Sequence, residues 1–341
     1  MRICELSKEM EPSWDKYVLN HPDSTFYHTI GWRNVIVKTY KHKQIYLVAL
    51  EKDEIVGILP LFLMKSHLFG NKLVSLPFGA YGGVCSQNIQ IENSLINKAI
   101  EITLEKKAKY LELRNLSYNS SDKLVTQNIY KTSILKLYEN VDEMFENLKK
   151  DKKRAIFKSH KRNLDWEWNN KAENFYHLYS KNMNNLGSPA HSMIFFKNIL
   201  KEFPNNSMIQ VVKKGDDIIY SAFYFSNKDT IINCWSSTLN KYRKYYPTDY
   251  GIWNAIQYSI KNGYKFYDFG RSLEGSSNLE FKRRWGVEHV ELKYQYFLNK
   301  IDKPPNQSST NPKRQIFAKY WKKAPSWSTN ILGVFIRKNL P

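Results

Sequence analysis

The sequence predicts an α/β (α+β) protein of two tandem domains, each a mixed sheet flanked by helices. Three observations carry this: the length of the chain, a composition apolar enough for two cores, and an order of elements that occurs twice. At 341 residues the chain exceeds the usual size of one hydrophobic core, and domains of roughly 100 to 200 residues are expected. Hydrophobic residues at 42 % and aromatics at 15 % exclude a disordered chain, which lacks the apolar surface that offsets ordering entropy.

The repeated order is hairpin, loop, helix, strand. In the first half, QIYLVALE and IVGILPLFLM flank the polar turn Lys52-Asp53-Glu54, and both arms are rich in β-favouring aliphatic residues. The strand and glycine-rich loop LVSLPFGAYGGV follow. Leu95, Ile96, Ala99, Ile100, Thr103 and Leu104, spaced at three and four, predict a helix within 91–109, and YLELRN reads as the next strand. In the second half, IQVVKK and IIYSAFYFS flank Gly215-Asp216-Asp217, and a strand runs from Thr230 to Ser236. A helix then starts near Thr248-Asp249 with Ile252, Trp253, Ile256 and Ile260 on one face, and KFYDFG follows Gly263 as a strand. The strand ends Glu112-Leu113-Arg114 and Asp268-Phe269-Gly270-Arg271 compare well. Identity between the halves is weak, so duplication rests on element order. The expected boundaries are 1–140 and 141–300 for the two domains, with a basic helix over 149–162, a tether over 301–314 and an amphipathic tail over 315–341.

Lysine and arginine outnumber aspartate and glutamate by 52 to 32, a formal charge of +20 that attracts phosphate-bearing partners. Nucleic acid, lipid headgroups and nucleotide sugars all qualify, and so does a plainly solvated lysine-rich surface. The sharpest concentration is LKKDKKRAIFKSHKR, where Arg154, Lys158, Lys161 and Arg162 sit at helical spacing. They form either a solvated face or one phosphate-binding stripe. Cys4, Cys85 and Cys234 are odd in number and far apart. They support neither a zinc site nor a disulfide framework, and Cys234, in the run IINCWSS, reads as a buried thiol. His28, His160, His191 and His289 have no spacing that signals a metal or a triad.

The amino terminus has charges where an export signal needs an apolar run. Val56 to Met64, interrupted by Gly57 and Pro60, falls short of the roughly 20 residues that span a bilayer. A cytoplasmic location is expected. In the tail, Ile316, Phe317, Tyr320 and Trp321, then Trp327, Ile331, Leu332, Phe335 and Ile336, suggest two short amphipathic helices. These either dock back on the protein or lie on the inner face of the membrane.

The most informative segment is YDFGRSLEGSSNLEFKRRWGVEHVELKYQYFL at 267–298. With STFYHTIGW, SLPFGAYGGV, LELRN, NLGSPAHSMIFF and YWKKAPSWSTNILG, it resembles the FemAB-like proteins of GNAT fold, especially the subgroup associated with PEP-CTERM exosortase systems. The resemblance implies two tandem GNAT-like domains and transfer of an acyl or aminoacyl group to an amine of a cell-envelope precursor, of exopolysaccharide or peptidoglycan type. It implies no metal and no tightly bound cofactor. Related peptidoglycan enzymes draw on aminoacyl-tRNA. The stretch KYYPTDYG lacks the glycine-rich loop that cradles pyrophosphate at a helix start, so aminoacyl-tRNA and acyl-CoA or another acyl carrier both stay open as donors. Thr248 stands where the subgroup leads one to expect asparagine.

Acyl transfer needs an unprotonated amine, a carbonyl held near attack distance, and positive charge where the oxyanion develops. The resemblance assigns the last role to Lys282, in the pair Phe281-Lys282. Asp268 either accepts a proton from the attacking nitrogen or is neutralised by Arg271. Phe281 and Trp285 wall a cleft or pack in the core. Tyr81, Gly82 and Gly83 form a loop where backbone approaches a substrate or merely turns. Arg154, Lys158 and Lys161 are the candidate contacts to a phosphate-bearing acceptor or to transfer RNA. The rival from another class is a non-catalytic GNAT-like scaffold of a polysaccharide assembly system. A dedicated nucleic-acid binder lacks a motif to support it.

Overall fold

The computed structural model describes residues 1–66, 70–116, 121–306 and 311–340, without the side chains of 313, 326–328, 330 and 331. Trp327 and Ile331 of the predicted tail face and residues 307–310 of the predicted tether lie outside the described residues. The first elements in chain order are β1 (Arg2–Glu5), α1 (Glu11–Asn20), α2 (Ile30–Tyr40), β2 (Lys43–Glu51), β3 (Glu54–Met64), β4 (Lys72–Val74), β5 (Cys85–Ser86), α3 (Ile89–Glu105) and β6 (Tyr110–Asn115). Next come β7 (Val125–Lys136), α4 (Val141–Glu146), α5 (Lys150–His160), β8 (Asp165–Trp168), α6 (Ala172–Leu186), α7 (Met193–Glu202), β9 (Ser207–Lys214) and β10 (Asp217–Asn227). The chain closes with β11 (Thr230–Thr238), α8 (Pro247–Lys261), β12 (Phe266–Asp268), β13 (Ser272–Leu273), α9 (Ser277–Arg283), β14 (Glu288–Leu298), α10 (Pro312–Trp321) and α11 (Ser326–Arg337).

Two compact units result. Unit 1 is Met1–Ile129 with Glu291–Gln307 and Lys338–Pro341, and unit 2 is Tyr130–Val290 with Ser308–Arg337. Unit 1 orders its strands β1-β2-β3-β4-β6-β14, and unit 2 orders its own β8-β9-β10-β11-β12-β7. The directions also coincide. Neighbours are antiparallel except for one parallel pair in each unit, β4 with β6 and β11 with β12. Each parallel pair needs a helical crossover, and α3 and α8 supply it. The sixth strand is exchanged along the chain: β7, which follows β6, completes unit 2, whereas β14 completes unit 1.

Local sequence explains these elements. The β2–β3 turn places Lys52 and Asp53 at φ 50° and 62°, the left-handed pair that matches hairpin twist. The β9–β10 turn uses Gly215 at φ +57°. Asn88 caps α3 by accepting the Ile91 N–H at 3.0 Å, and α3 buries Leu95, Ile96, Ala99 and Ile100 against Leu59, Leu61 and Leu111. Pro247 opens α8 one residue before the predicted start, in the first turn where its missing N–H costs nothing. Ile252, Trp253, Ile256 and Ile260 of α8 join Val212, Tyr224 and Tyr267 in the core of unit 2, each contributing about 1.5–3 kcal/mol of burial.

The tail forms the two expected helices. Trp321 is buried, α11 packs on α6, and the Arg337 guanidinium donates to His191 Nε2 at 3.1 and 3.0 Å. That contact and burial hold His191 well below its ordinary range, desolvation being the larger cause. In unit 1, His42 Nε2 donates to the Lys338 carbonyl at 2.8 Å.

Candidate active site

The parallel pair of unit 2 is short. Thr230, Ile231 and Ile232 face Phe266, Tyr267 and Asp268, and there β12 ends while β11 continues to Thr238. Just past this point β11 carries a bulge: Phe223 pairs with Trp235 and Tyr224 with Asn233, which leaves Cys234 as the extra residue. Strand divergence and bulge together open a cavity of about 760 Å³ lined by Asn233–Thr238, Phe269–Arg271, the first turn of α8 and part of α9. Its place beyond the carboxyl ends of parallel strands is where open α/β sheets bind ligands. Cys234, expected to be buried, is half-buried and lines the cavity, because the bulge turns the strand there.

Lys282 reaches this cavity from α9. Ser276 caps that helix by accepting the Leu279 N–H at 3.2 Å, and Leu279 and Lys282, one turn apart, form its buried face. Lys282 is 6 % exposed. Its Nζ donates to the Gly270 carbonyl at 2.7 Å and lies 3.4 Å from that of Arg271. Burial lowers its pKa to about 8. The Asp268 carboxylate opposes that shift, and Arg271 adds to it. Gly270 sits at φ +73° with Asn233 O only 2.8 Å from where a Cβ would stand, so glycine is required for the turn.

Asp268 supports this turn from beneath. Its Oδ1 accepts from the Gly270 N–H at 2.7 Å and from Thr132 Oγ1 at 2.6 Å, and the residue is buried and absent from the cavity lining. Arg271 lines the cavity and places its guanidinium 4.5 Å from the Tyr130 ring centre. Phe281 lines the cavity too, while Trp285 is buried in the core behind it.

Sequence reasoning missed Lys152. It looked like one more member of the charge run, yet it is buried on α5 with Ile156 and Ser159. Its Nζ donates to Asp249 Oδ1 at 2.6 Å and lies 3.9 Å from the Phe281 ring centre and 4.9 Å from that of Trp285. Burial lowers the Lys152 pKa, against the pull of Asp249. Spacing held the signal, since positions 152, 156 and 159 share one face of a helix. Among the described residues of the lining Asp249 is the one acid, against Arg243, Arg271, Lys282 and Arg284, so the cavity is cationic.

The remaining candidates lie elsewhere. Arg154, Lys158 and Lys161 are exposed and do not line the cavity, although Lys158 Nζ stands 5.6 Å from the ring of Tyr246, which does. Tyr81, Gly82 and Gly83 belong to unit 1 and are buried there. A Cβ on Gly82 would meet the Leu76 side chain at 2.0 Å, and one on Gly83 would meet Asn115 Oδ1 at 1.6 Å. Packing within unit 1 therefore accounts for both glycines. Among the described residues no group of three or more His, Cys, Asp and Glu could hold a metal ion, and no helix is long and apolar enough to cross a membrane.

Residues 147–283, which hold all of this lining except Arg284, match the family described as an acetyltransferase (GNAT) domain. Solved structures extend the likeness to the whole fold. A structure described as FemX superposes with a TM-score of 0.66 at 14 % identity, over 88 % of this chain and 98 % of that one. The C-terminal domain of a putative lysylphosphatidylglycerol synthetase from Agrobacterium fabrum gives 0.56 at 9 % identity, over 85 % and 92 %. A tandem GNAT protein from the clavulanic acid biosynthesis pathway gives 0.54 at 10 %, over 89 % and 99 %. No curated protein matches the chain in sequence. The chain thus has the two-domain GNAT fold that its resemblance to the FemAB-like proteins implies, and the repeated element order is its two α/β domains.

Proposed function

We propose that unit 2 transfers an acyl or aminoacyl group to an amine, with a cell-envelope precursor as acceptor. The observation that carries this reading is the Lys282 ammonium, held by the Gly270 carbonyl at the wall of a cationic cavity in a domain that matches the GNAT family. The unprotonated amine attacks the carbonyl carbon of the donor and forms the new C–N bond. The carbonyl electron pair moves onto oxygen, where a desolvated ammonium stabilises it more strongly than water can. Collapse of this intermediate returns the electron pair from oxygen to re-form the carbonyl and breaks the bond to the carrier, which leaves with the pair of that bond, and the proton shed by nitrogen passes to the carrier or to water.

In this scheme Lys282 is the catalytic residue. Asp268 is a positioning residue: it fixes the Gly270 turn and opposes the loss of charge on Lys282. Arg243, Arg271 and Arg284 suit a donor or acceptor carrying phosphate, which guanidinium groups bind in bidentate fashion. Phe281 and Tyr220 form apolar wall. The similarity to FemX supports an aminoacyl donor and the GNAT domain match an acyl-CoA donor.

Purified protein offered labelled acyl-CoA or labelled aminoacyl-tRNA, with an extract of envelope precursors as acceptor, should move label into an amide in one arm. Mass spectrometry of glycans and precursors from a deletion strain should show the same increment missing. Unchanged envelope masses, together with no transfer from either donor, would remove the reading.

A further inference from the structure

The two tail helices have opposite faces with opposite fates. On α10, Ala318 and Trp321 face the protein: a Cβ on Gly187 would stand 2.6 Å from the Ala318 Cβ, and Trp321 is buried. On α11, Gly333 lies against Trp321 and Ala190. The outward faces carry large apolar side chains among polar ones. Ile316 and Tyr320, one turn apart on α10, are 58 % and 71 % exposed, and Leu332 and Phe335 on α11 are 53 % and 60 % exposed. A docked surface helix normally turns polar residues to solvent. Here the exposed residues beside the apolar ones include Arg314, Lys319, Lys322 and Lys323.

The inner side of α10 packs beside the cavity. Leu186, which lines the cavity and is 59 % exposed, precedes Gly187, the residue against which α10 packs. We propose that the outward face of α10 and α11 docks on an anionic lipid surface. Exposed aliphatic and aromatic side chains flanked by lysine suit the boundary between acyl chains and acidic headgroups, where apolar burial and charge attraction add. Free phosphate offers nothing to Ile316, Leu332 and Phe335, and a nucleic acid backbone offers them as little. A second copy of the chain would bring two lysine-flanked faces of a +20 protein together, which repulsion disfavours. That the amine acceptor is itself presented at this surface rests on the acyl-transfer reading, whereas the docking does not.

Full-length protein sedimented with vesicles of phosphatidylcholine alone, and of phosphatidylcholine mixed with phosphatidylglycerol, tests this directly. Binding is expected to the mixed vesicles, weaker at high salt and insensitive to added inorganic phosphate. Replacing Ile316, Tyr320, Leu332 and Phe335 by serine should weaken it about tenfold or more while keeping the salt dependence. Replacing Lys319, Lys322 and Lys323 by glutamate should weaken it about as much and flatten that dependence. All seven positions are exposed, and an unchanged melting curve certifies the fold. Equal sedimentation of both variants and wild type would overturn the proposal. So would a lack of vesicle binding, including the case where ultracentrifugation shows self-association that the serine variant abolishes. Since sedimentation needs no turnover, a failure of the acyl-transfer reading leaves its result intact.

Discussion

Both units part a pair of parallel strands at the same point of the same topology, and they treat the gap in opposite ways. In unit 1, β4 and β6 pair only through Leu73 with Leu111 and Val74 with Glu112. The gap beyond is filled by the chain itself. Arg114, fully buried, donates from Nε to Glu112 Oε1 at 2.8 Å and from a terminal nitrogen to the Gly79 carbonyl at 2.7 Å, and its backbone N–H goes to Ser75 Oγ at 2.9 Å. Tyr294 donates to the Ala80 carbonyl over the same loop. In unit 2 the matching position is Gly270, which has no side chain to fill the gap, and a cationic cavity walled by Lys282 stands there. A duplicated fold thus yields one site and one seal. What separates them is the side chain two positions past the last parallel pair: a long guanidinium able to tie down a loop at Arg114, or none at Gly270.

The largest effect is expected at the seal. Arg114→Met leaves the Glu112 carboxylate buried without its cation, a change that costs about 3–5 kcal/mol when a buried pair is broken. Urea unfolding should show the loss, and Glu112→Gln in the same chain should restore much of it, because the uncompensated charge is gone. A variant as stable as wild type would end the claim that unit 1 closes its gap with an ion pair.

Lys282→Ala should do the converse in unit 2. A transition-state donor of this kind contributes about 10² to 10³ in turnover, or roughly 3–4 kcal/mol. Stability should change little, since a desolvated ammonium is itself unfavourable. Lys282→Arg should rescue poorly, its planar fork placing charge differently. Normal turnover in a stable alanine variant removes Lys282 from the mechanism.

A smaller effect, with a sign, follows from the lowered pKa of Lys282, about 8. If the ammonium is the working form, kcat/KM divided by the unprotonated fraction of the acceptor amine stays level below that pH and falls above it, by about tenfold per pH unit. A limb that rises with pH instead would make Lys282 a proton acceptor. In either case Lys282→Arg should lose the limb, because guanidinium stays charged.

The sequence disclosed whatever is written in local periodicity. The two hairpins, α3, α8 and the strand ending at Asp268 all follow from spacings and turn residues within about 15 positions, as does the docked-or-interfacial pair of tail helices. The exchange of β7 and β14 between units was invisible, because neither strand's own residues say which edge it will join. Lys152 was hidden for another reason. Beside seven other basic residues its charge suggests solvent, whereas its place in register with Ile156 and Ser159 indicates burial, and the buried ion pair with Asp249 resolves the two. Gly270 reads in the sequence only as part of the strand end Asp268-Phe269-Gly270-Arg271, and the approach of Asn233 O shows that the turn there requires it.

The smallest effect tests whether the excess charge is local to unit 2 in its action. Reversing Arg154, Lys158 and Lys161 together on α5, all exposed, should leave stability within about 0.5 kcal/mol, as surface changes usually do. It should leave kcat unchanged as well, because none of the three lines the cavity. Binding of transfer RNA, used as a phosphate-rich probe, should weaken, and its dependence on log salt should become shallower by roughly 0.7–0.9 for each phosphate that is no longer neutralised. The matched control reverses Lys8, Lys16 and Lys43, exposed residues of unit 1, and so changes the net charge by the same amount. If position matters, only the α5 triple alters the slope. Equal weakening by both triples would mean that the probe responds to total charge alone, and the α5 face would then be a solvated surface with no part in distinguishing the open unit from the sealed one.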